Sequence, residues 1–403
     1  MKSRVTLVIV ALLVLCAATW LWFRCQPFTP PLFEADFSDP GALADWSVDT
    51  NAIGHTTGIA NVVTTGGNPF MRIESGAWES RAFTPGAHEL YRVRFRARTE
   101  APLYWVIYYY DAEGQFLAPS PYDRVYGTGK WMDFEGFARV HPDTARMHLR
   151  FEVNSGHSLD VTDIRIERVP PYQVQAGMRR LGRTLPAVRY RAPVDRWEHL
   201  NRTRNALRRG IPWRIVMVGD SICADIANSL FDVRLGARWM TSRIELVNSV
   251  RRSTGPWYFT QPDALEHYVL RHEPDLLIIT GISHGRNPEG HRALVRAVRK
   301  HHDCDILLMP GSIAGMPVPK PEIIAATGKA ANQAHIDHVT GFPDRLRLVA
   351  EEEQVAYLDI RRAWDSYITN SDRPHEWYMR DGVHANGRGK YVVGEIMVRF
   401  LAP

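Results

Sequence analysis

Apolar and polar positions along the chain fall into three regimes. The first is an apolar run from Val5 to Phe23, preceded by Lys2 and Arg4 and closed by Arg24. Nineteen such residues in a helix reach across a bilayer core, so a membrane helix is predicted over this run. The second regime spans residues 31–170 and is dominated by period two. Tyr91-Arg92-Val93-Arg94-Phe95-Arg96-Ala97-Arg98 alternates ring or aliphatic with arginine, and Met147, Leu149, Phe151 and Val153 repeat the pattern. Val161 is followed by Ile164 and Ile166, with a break in phase between them. Alternation of this kind, divided by turn clusters such as Asp111–Gly114 and Gly127–Gly129, predicts many short half-buried strands and hence a β-sandwich or jelly roll.

The third regime begins at Trp213. Aliphatic runs at Ile215–Val218, Ile244–Val247, Leu276–Ile279, Ile306–Met309 and Val355–Leu358 are separated by helical stretches, among them Glu289–His301, Pro321–Thr327 and Asp344–Glu353. An amphipathic stretch, Gly389–Leu401, ends the chain. Aliphatic strands alternating with helices predict a parallel sheet covered on both faces, with active residues at the carboxyl ends of its strands. Between the second and third regimes, residues 171–212 read as a basic linker and lead-in helix. Ten arginines there face only Asp195 and Glu198, so this segment carries more positive charge than the whole chain's net +5. A solvated linker or a contact with acidic glycan or lipid head groups suits an extracytoplasmic chain better than nucleic acid does.

The 403 residues are 45% hydrophobic and 23% charged, which excludes a disordered or fibrous chain. Positive charge before the apolar run places the body of the protein outside the cytoplasm, in the periplasm or at the cell surface. The run serves as an anchor, or as a leader whose removal would release a secreted protein. Leu15 is too bulky for Cys16 to follow a lipoprotein cleavage site. Only Cys223 and Cys304 lie in the body, where two ordinary buried thiols are expected. The 12 Trp and 15 Tyr suit a core, but also a platform for sugar rings. Tyr104, Trp105, Tyr108, Tyr109, Tyr110 and Trp131 are the candidate sugar-stacking rings.

Two short motifs carry chemistry. Val218-Gly219-Asp220-Ser221-Ile222 puts a serine directly after the first aliphatic strand. Asp381-Gly382-Val383-His384 puts a carboxylate three residues before a histidine, ahead of the last helix. A histidine so oriented can take a serine's proton while the carboxylate stabilises the imidazolium. Neither motif means much alone. Their order and spacing together resemble the SGNH, or GDSL-type, hydrolase family over about residues 210–403.

That resemblance implies a three-layer α/β/α flavodoxin-like fold and ester hydrolysis without metal or organic cofactor. It makes Ser221 the nucleophile, His384 the base and Asp381 its partner. Oxyanion donors would be the Ser221 backbone N–H, Gly255 in Ser253-Thr254-Gly255-Pro256, and the Gly281-Ile282-Ser283-His284-Gly285 block. There Ser283 occupies the place of the family's asparagine and His284 that of its aspartate. Asn228 and Asn248 are further donors to weigh. The sandwich region resembles carbohydrate-binding jelly-roll modules in its pattern of strands, with Ala77–Gly86, Tyr91–Arg98, Gly129-Lys130-Trp131 and Val161–Glu167 carrying the likeness.

No phosphate-binding glycine loop is present, and His301-His302 and His335-Ile336-Asp337-His338 lack the spacing of a zinc helix, so no metal site is expected. The sequence thus predicts an extracytoplasmic esterase on glycan esters, with no nucleic-acid or obligate protein partner. An O-acyltransferase on envelope polysaccharide and a non-catalytic glycan-binding protein are the alternatives.

Overall fold

A computed structural model describes residues 31–402 apart from 50–57, 65–66, 88, 102, 118–120, 126, 154–155, 240–242, 282–286 and 312–340. The Val5–Phe23 run, Cys16, His335 and His338 therefore lie outside the described residues. Among those described, no helix is long and apolar enough to cross a membrane.

The alternating region folds as antiparallel β-structure. Its strands are β1 (Phe33–Ala35), β2 (Trp46–Val48), β3 (Ile59–Val63), β4 (Phe70–Ser80), β5 (Leu90–Arg98), β6 (Leu103–Tyr110), β7 (Tyr122–Val125), β8 (Met132–Arg139), β9 (Arg146–Val153) and β10 (Leu159–Arg168). Seven of them follow the order β7-β6-β9-β4-β10-β5-β8, with β1 paired to β10 and β2 and β3 to β4. Strand β4 belongs to two faces. Its first half, Met71–Ile73, pairs with β10, and its second half, Gly76–Glu79, pairs with β9. Gly76, at φ +93°, makes the bend between them. The enclosed core holds Phe33, Val93, Phe95, Ile107, Leu149, Phe151 and Ile166.

On the outer face of β5 the arginines are paired. Arg92 bonds Glu167 and Arg98 bonds Asp160, each with short N–H···O contacts. This is a laced surface with little free positive charge. The phase break read at Val161–Ile164 is a register shift between Thr162 and Arg165, with Asp163 at φ +51° as the inserted residue.

From Trp213 onward the sheet is parallel, with strands β11 (Trp213–Gly219), β12 (Ile244–Asn248), β13 (Leu276–Thr280), β14 (Asp305–Leu308) and β15 (Ala356–Tyr357) in the order β12-β11-β13-β14-β15. Alternate side chains of β11 enter different cores. Ile215 and Met217 pack with Cys223, Trp364, Val393 and Ile396. Val216 and Val218 pack with Phe259, Leu294, Val298 and Leu346 on the other side. Helices therefore cover both faces, which is why these strands are aliphatic throughout. The chain leaves β11 for β12 on one side and returns to β13 on the other. That reversal opens a crevice at the carboxyl end of β11.

Residues 171–212 form a packed joint. Helices Pro171–Gly182 and Asn201–Arg209 occupy half of it. Val174 sits with Leu90, Phe137 and Val169 of the sandwich and with Leu230 and Val233 of the α/β region in one apolar cluster. Arg196 Nε donates to Phe400 O at 2.7 Å. Across the same seam the Arg139 side chain forms an ion pair with the buried Asp232 carboxylate. Cys223 and Cys304 are both free thiols, and burial pushes the Cys304 thiol up to about 12.

Candidate functional site

The site begins where β11 ends. Gly219 has φ +152°, and a Cβ there would overlap the Thr280 carbonyl oxygen of β13. Only glycine lets the chain turn off the sheet at this point. Asp220 is fully buried and caps the helix Ser221–Ala227 by accepting from Ile222 N at 2.9 Å. Ser221 is thus the first residue of that helix and is held at the mouth of the crevice. Gly281, at φ +136°, closes the other wall. A Cβ there would lie 2.7 Å from Asp220 Oδ1, so β13 can approach the turn this closely only with glycine.

The loop before the last helix brings the second motif to Ser221. His384 Nε2 lies 2.8 Å from Ser221 Oγ. His384 Nδ1 lies 2.9 Å from each Asp381 carboxylate oxygen. Asp381 Oδ1 also accepts from the backbone N–H groups of Val383 and His384, both at 2.8 Å. Burial alone would raise the Asp381 carboxyl. The His384 hydrogen bond and the two backbone donors outweigh it and hold the group well below the ordinary carboxylate range. A carboxylate on Nδ1 leaves Nε2 free to accept the serine proton. Asn386 then starts the closing helix Gly387–Leu401, accepting from Arg388 N and Gly389 N.

The other expected site residues are divided. Gly255 is buried and is the N-cap of the short helix Pro256–Phe259. It lies on the segment after β12, which runs beside the serine turn, since Arg251 N donates to Gly219 O at 3.0 Å. Ser283 and His284 lie outside the described residues. Asn228 and Asn248 line a small recess with Tyr109, Arg139 and His141 at the seam with the sandwich.

The ring platform needs correction. Trp105 is 4% exposed and stands edge-on to Phe95 inside the sandwich; Tyr109 is buried in the same core, and its hydroxyl donates to Arg139 O. The strand Leu-Tyr-Trp-Val-Ile-Tyr-Tyr-Tyr is apolar at almost every position, so alternation gives no inside and outside. Tyr108 faces outward but is 8% exposed, covered by the Arg150 guanidinium 4.7 Å from its ring. Tyr104 is half-buried against Tyr122. Trp131 is half-buried beside Arg98 and Phe70, on the face of β5, whereas Tyr104 and Tyr108 belong to β6. These five rings do not form one platform. Trp257, not among the predicted rings, is 55% exposed two residues beyond Gly255, in the apolar run Pro-Trp-Tyr-Phe that reads as core.

Also missed in the sequence are Asp225, Arg380 and Lys390, three charged residues buried behind the loop. The signals were a lone carboxylate in the otherwise apolar stretch Ser-Ile-Cys-Ala-Asp-Ile-Ala and an arginine directly before Asp381. Among the described residues, no group of three or more His, Cys, Asp or Glu is placed to hold a metal ion. His302 instead makes a 2.7 Å contact with Pro274 O.

No family model and no curated protein matches this sequence. Solved structures do. A two-domain esterase active on acetylated mannans, co-crystallized with mannopentaose, is 15% identical over 51% of this chain and 53% of its own, with a TM-score of 0.37. The chain thus spans about half the length of that esterase. Axe2, an acetylxylan esterase from Geobacillus stearothermophilus, is 14% identical over 47% of this chain and 94% of its own, TM-score 0.37. The CBM22-1 xylan-binding domain of Paenibacillus barcinonensis Xyn10C is 12% identical over 35% of this chain and 95% of its own, TM-score 0.27. The structures similar to this chain thus include carbohydrate esterases and carbohydrate-binding modules.

Proposed function

We propose that the protein is an extracytoplasmic serine esterase of the SGNH type that removes an acyl group, acetyl in the first instance, from a polysaccharide. The observation that carries this reading is the unbroken contact chain from Ser221 Oγ through His384 to Asp381. Ser221 Oγ attacks the ester carbonyl and gives its proton to His384 Nε2. His384 passes that proton to the departing sugar hydroxyl. Water, deprotonated by His384, then attacks the acyl-serine and releases the acid and the free enzyme. The Ser221 N–H, Gly255, Ser283 and His284 are the proposed donors to the oxyanion, a role worth roughly 3–4 kcal/mol per donor in such sites. Exposed Trp257 is the proposed sugar contact beside them. The sandwich, residues 31–170, is the proposed glycan-holding domain, and residues 5–23 the anchor that keeps both at the membrane.

The test uses the full chain in detergent, its Ser221→Ala variant, and an aryl acetate. Acetate release that disappears in the variant, with an acyl adduct on Ser221 in the wild type, is the expected result, and acetylated polysaccharides follow as substrates. No release and no adduct from the wild type would overturn hydrolysis. Acetyl transfer to an added glycan acceptor under the same conditions would then establish the transferase alternative.

A further inference from the structure

Behind the Asp381–His384 loop lies a buried cluster with no part in proton transfer. Asp225 stands one helical turn after Ser221 on the same helix. Its Oδ2 accepts from Ala385 N at 3.0 Å. Its Oδ1 lies 3.4 Å from Arg380 Nη1 and 3.7 Å from Lys390 Nζ. Asp225, Arg380 and Lys390 are 4%, 3% and 6% exposed. Charges buried to this degree persist only when paired.

Arg380 is tied to the loop in two more ways. Its backbone N–H donates to His384 O at 2.8 Å, and its Nε lies 3.5 Å from Asp381 Oδ2. Two cations meet one carboxylate at Asp225, and both also reach the sandwich. Arg380 Nη1 and Lys390 Nζ both donate to the Tyr122 carbonyl of β7, at 2.7 and 2.8 Å. The Tyr122 ring lies 4.2 Å from the Arg380 guanidinium. Asp123 borders the start of the closing helix, since a Cβ on Gly387 would lie 2.8 Å from its Oδ2.

We propose that Asp225 is a positioning residue for the Ser221–His384 centre, clamping the acid–base loop to the nucleophile's own helix, and that the sandwich completes the clamp through the Tyr122 carbonyl. The catalytic part of this statement rests on the esterase reading above. With Asp225 neutral, the two buried cations keep only Asp381 and Asp123 as charged partners, and of these Asp381 is the one nearest the Arg380 guanidinium in the loop. Asp381 is drawn towards Arg380 and away from His384, and the Ser221–His384 contact opens. Misplacement by about 1 Å costs on the order of a hundredfold in turnover.

The test compares the full chain with Asp225→Asn and with Asp225→Asn/Lys390→Met, in which the surplus cation is removed. Two readouts are taken: kcat and KM on an aryl acetate, and hydrogen–deuterium exchange of peptides across residues 379–401. For Asp225→Asn, kcat should fall by about 10–100-fold with KM within about twofold. Exchange should accelerate at least about tenfold in the loop peptide but not in the closing helix. The double variant should recover at least about threefold of the lost kcat.

A wild type that releases no acetate, with loop exchange still accelerated selectively in Asp225→Asn, would sink the esterase reading and leave the clamp standing. An active wild type whose kcat and loop exchange are unmoved by Asp225→Asn would overturn the clamp. Acceleration spread evenly over the chain, without rescue by Lys390→Met, would also overturn it, because it would mark Asp225 as general scaffolding.

Discussion

A single residue decides whether the imidazole faces Ser221 in a useful tautomer. Asp381 accepts from His384 Nδ1 and from two backbone amides. An asparagine can keep the amide contacts with its oxygen while offering an N–H to Nδ1, which turns a hydrogen on Nε2 towards the serine. Asp381→Asn should therefore fold normally and lose about 10⁴-fold in kcat, read on the aryl acetate. The depressed Asp381 carboxyl also has a stability sign. Its contribution is complete above about pH 4, where the unfolded carboxyl ionises, and disappears only as pH falls through the lower folded value. Trp257 gives a second prediction at this scale. Trp257→Ala should raise KM on an acetylated glycan by about tenfold, one lost ring contact, while leaving the aryl acetate within about twofold. Equal effects on both substrates would place the ring outside the sugar path.

Among elements, the segment Leu270–His272 meets the sandwich through His272, 8% exposed, whose ring stands 6.4 Å from that of His141. Burial, and after it the neighbouring Arg271, lowers the His272 pKa to about 4. The sign follows from which state takes the proton. Between about pH 6.5 and 4 the unfolded chain protonates this side chain and the folded chain does not. Stability is therefore complete above about pH 6.5 and declines on acidification to about 4, by up to about 3 kcal/mol. Urea titrations across that window should show the decline, and His272→Gln should flatten it.

The strands were legible because alternation survives in them, even to the bulge at Asp163, where one residue out of phase is visible in the spacing of Val161 and Ile164. The Ser221–His384 contact was legible because Gly219 and the Asp381–His384 spacing are local features. Trp105 was misread because β6 lacks alternation. Asp225, Arg380 and Lys390 were missed because their partners lie 155 and more residues apart in the chain or across the sandwich seam, and no local spacing records such a meeting.

For the whole molecule, the seam between the antiparallel and parallel sheets is built like an interior. It holds the Val174 cluster, the Asn228–Asn248 recess and the ion pair of Arg139 with buried Asp232. Removing one partner strands the other, so Asp232→Ala should cost about 3–5 kcal/mol. Chemical denaturation followed by tryptophan fluorescence and by far-UV circular dichroism should show one transition for the wild type. In the variant the two probes should separate as sandwich and α/β region uncouple. Coincident, unshifted transitions would show that the pair contributes nothing to the joint.

The acceptor that β7 offers to Arg380 and Lys390 is a main-chain oxygen. No substitution at position 122 deletes it, short of moving the strand. The tyrosine ring beside it adds a contact to the Arg380 guanidinium, 4.2 Å away, that a substitution would remove. Side chains across the sandwich can vary while its main-chain grip on the Asp381–His384 loop is inherited unchanged.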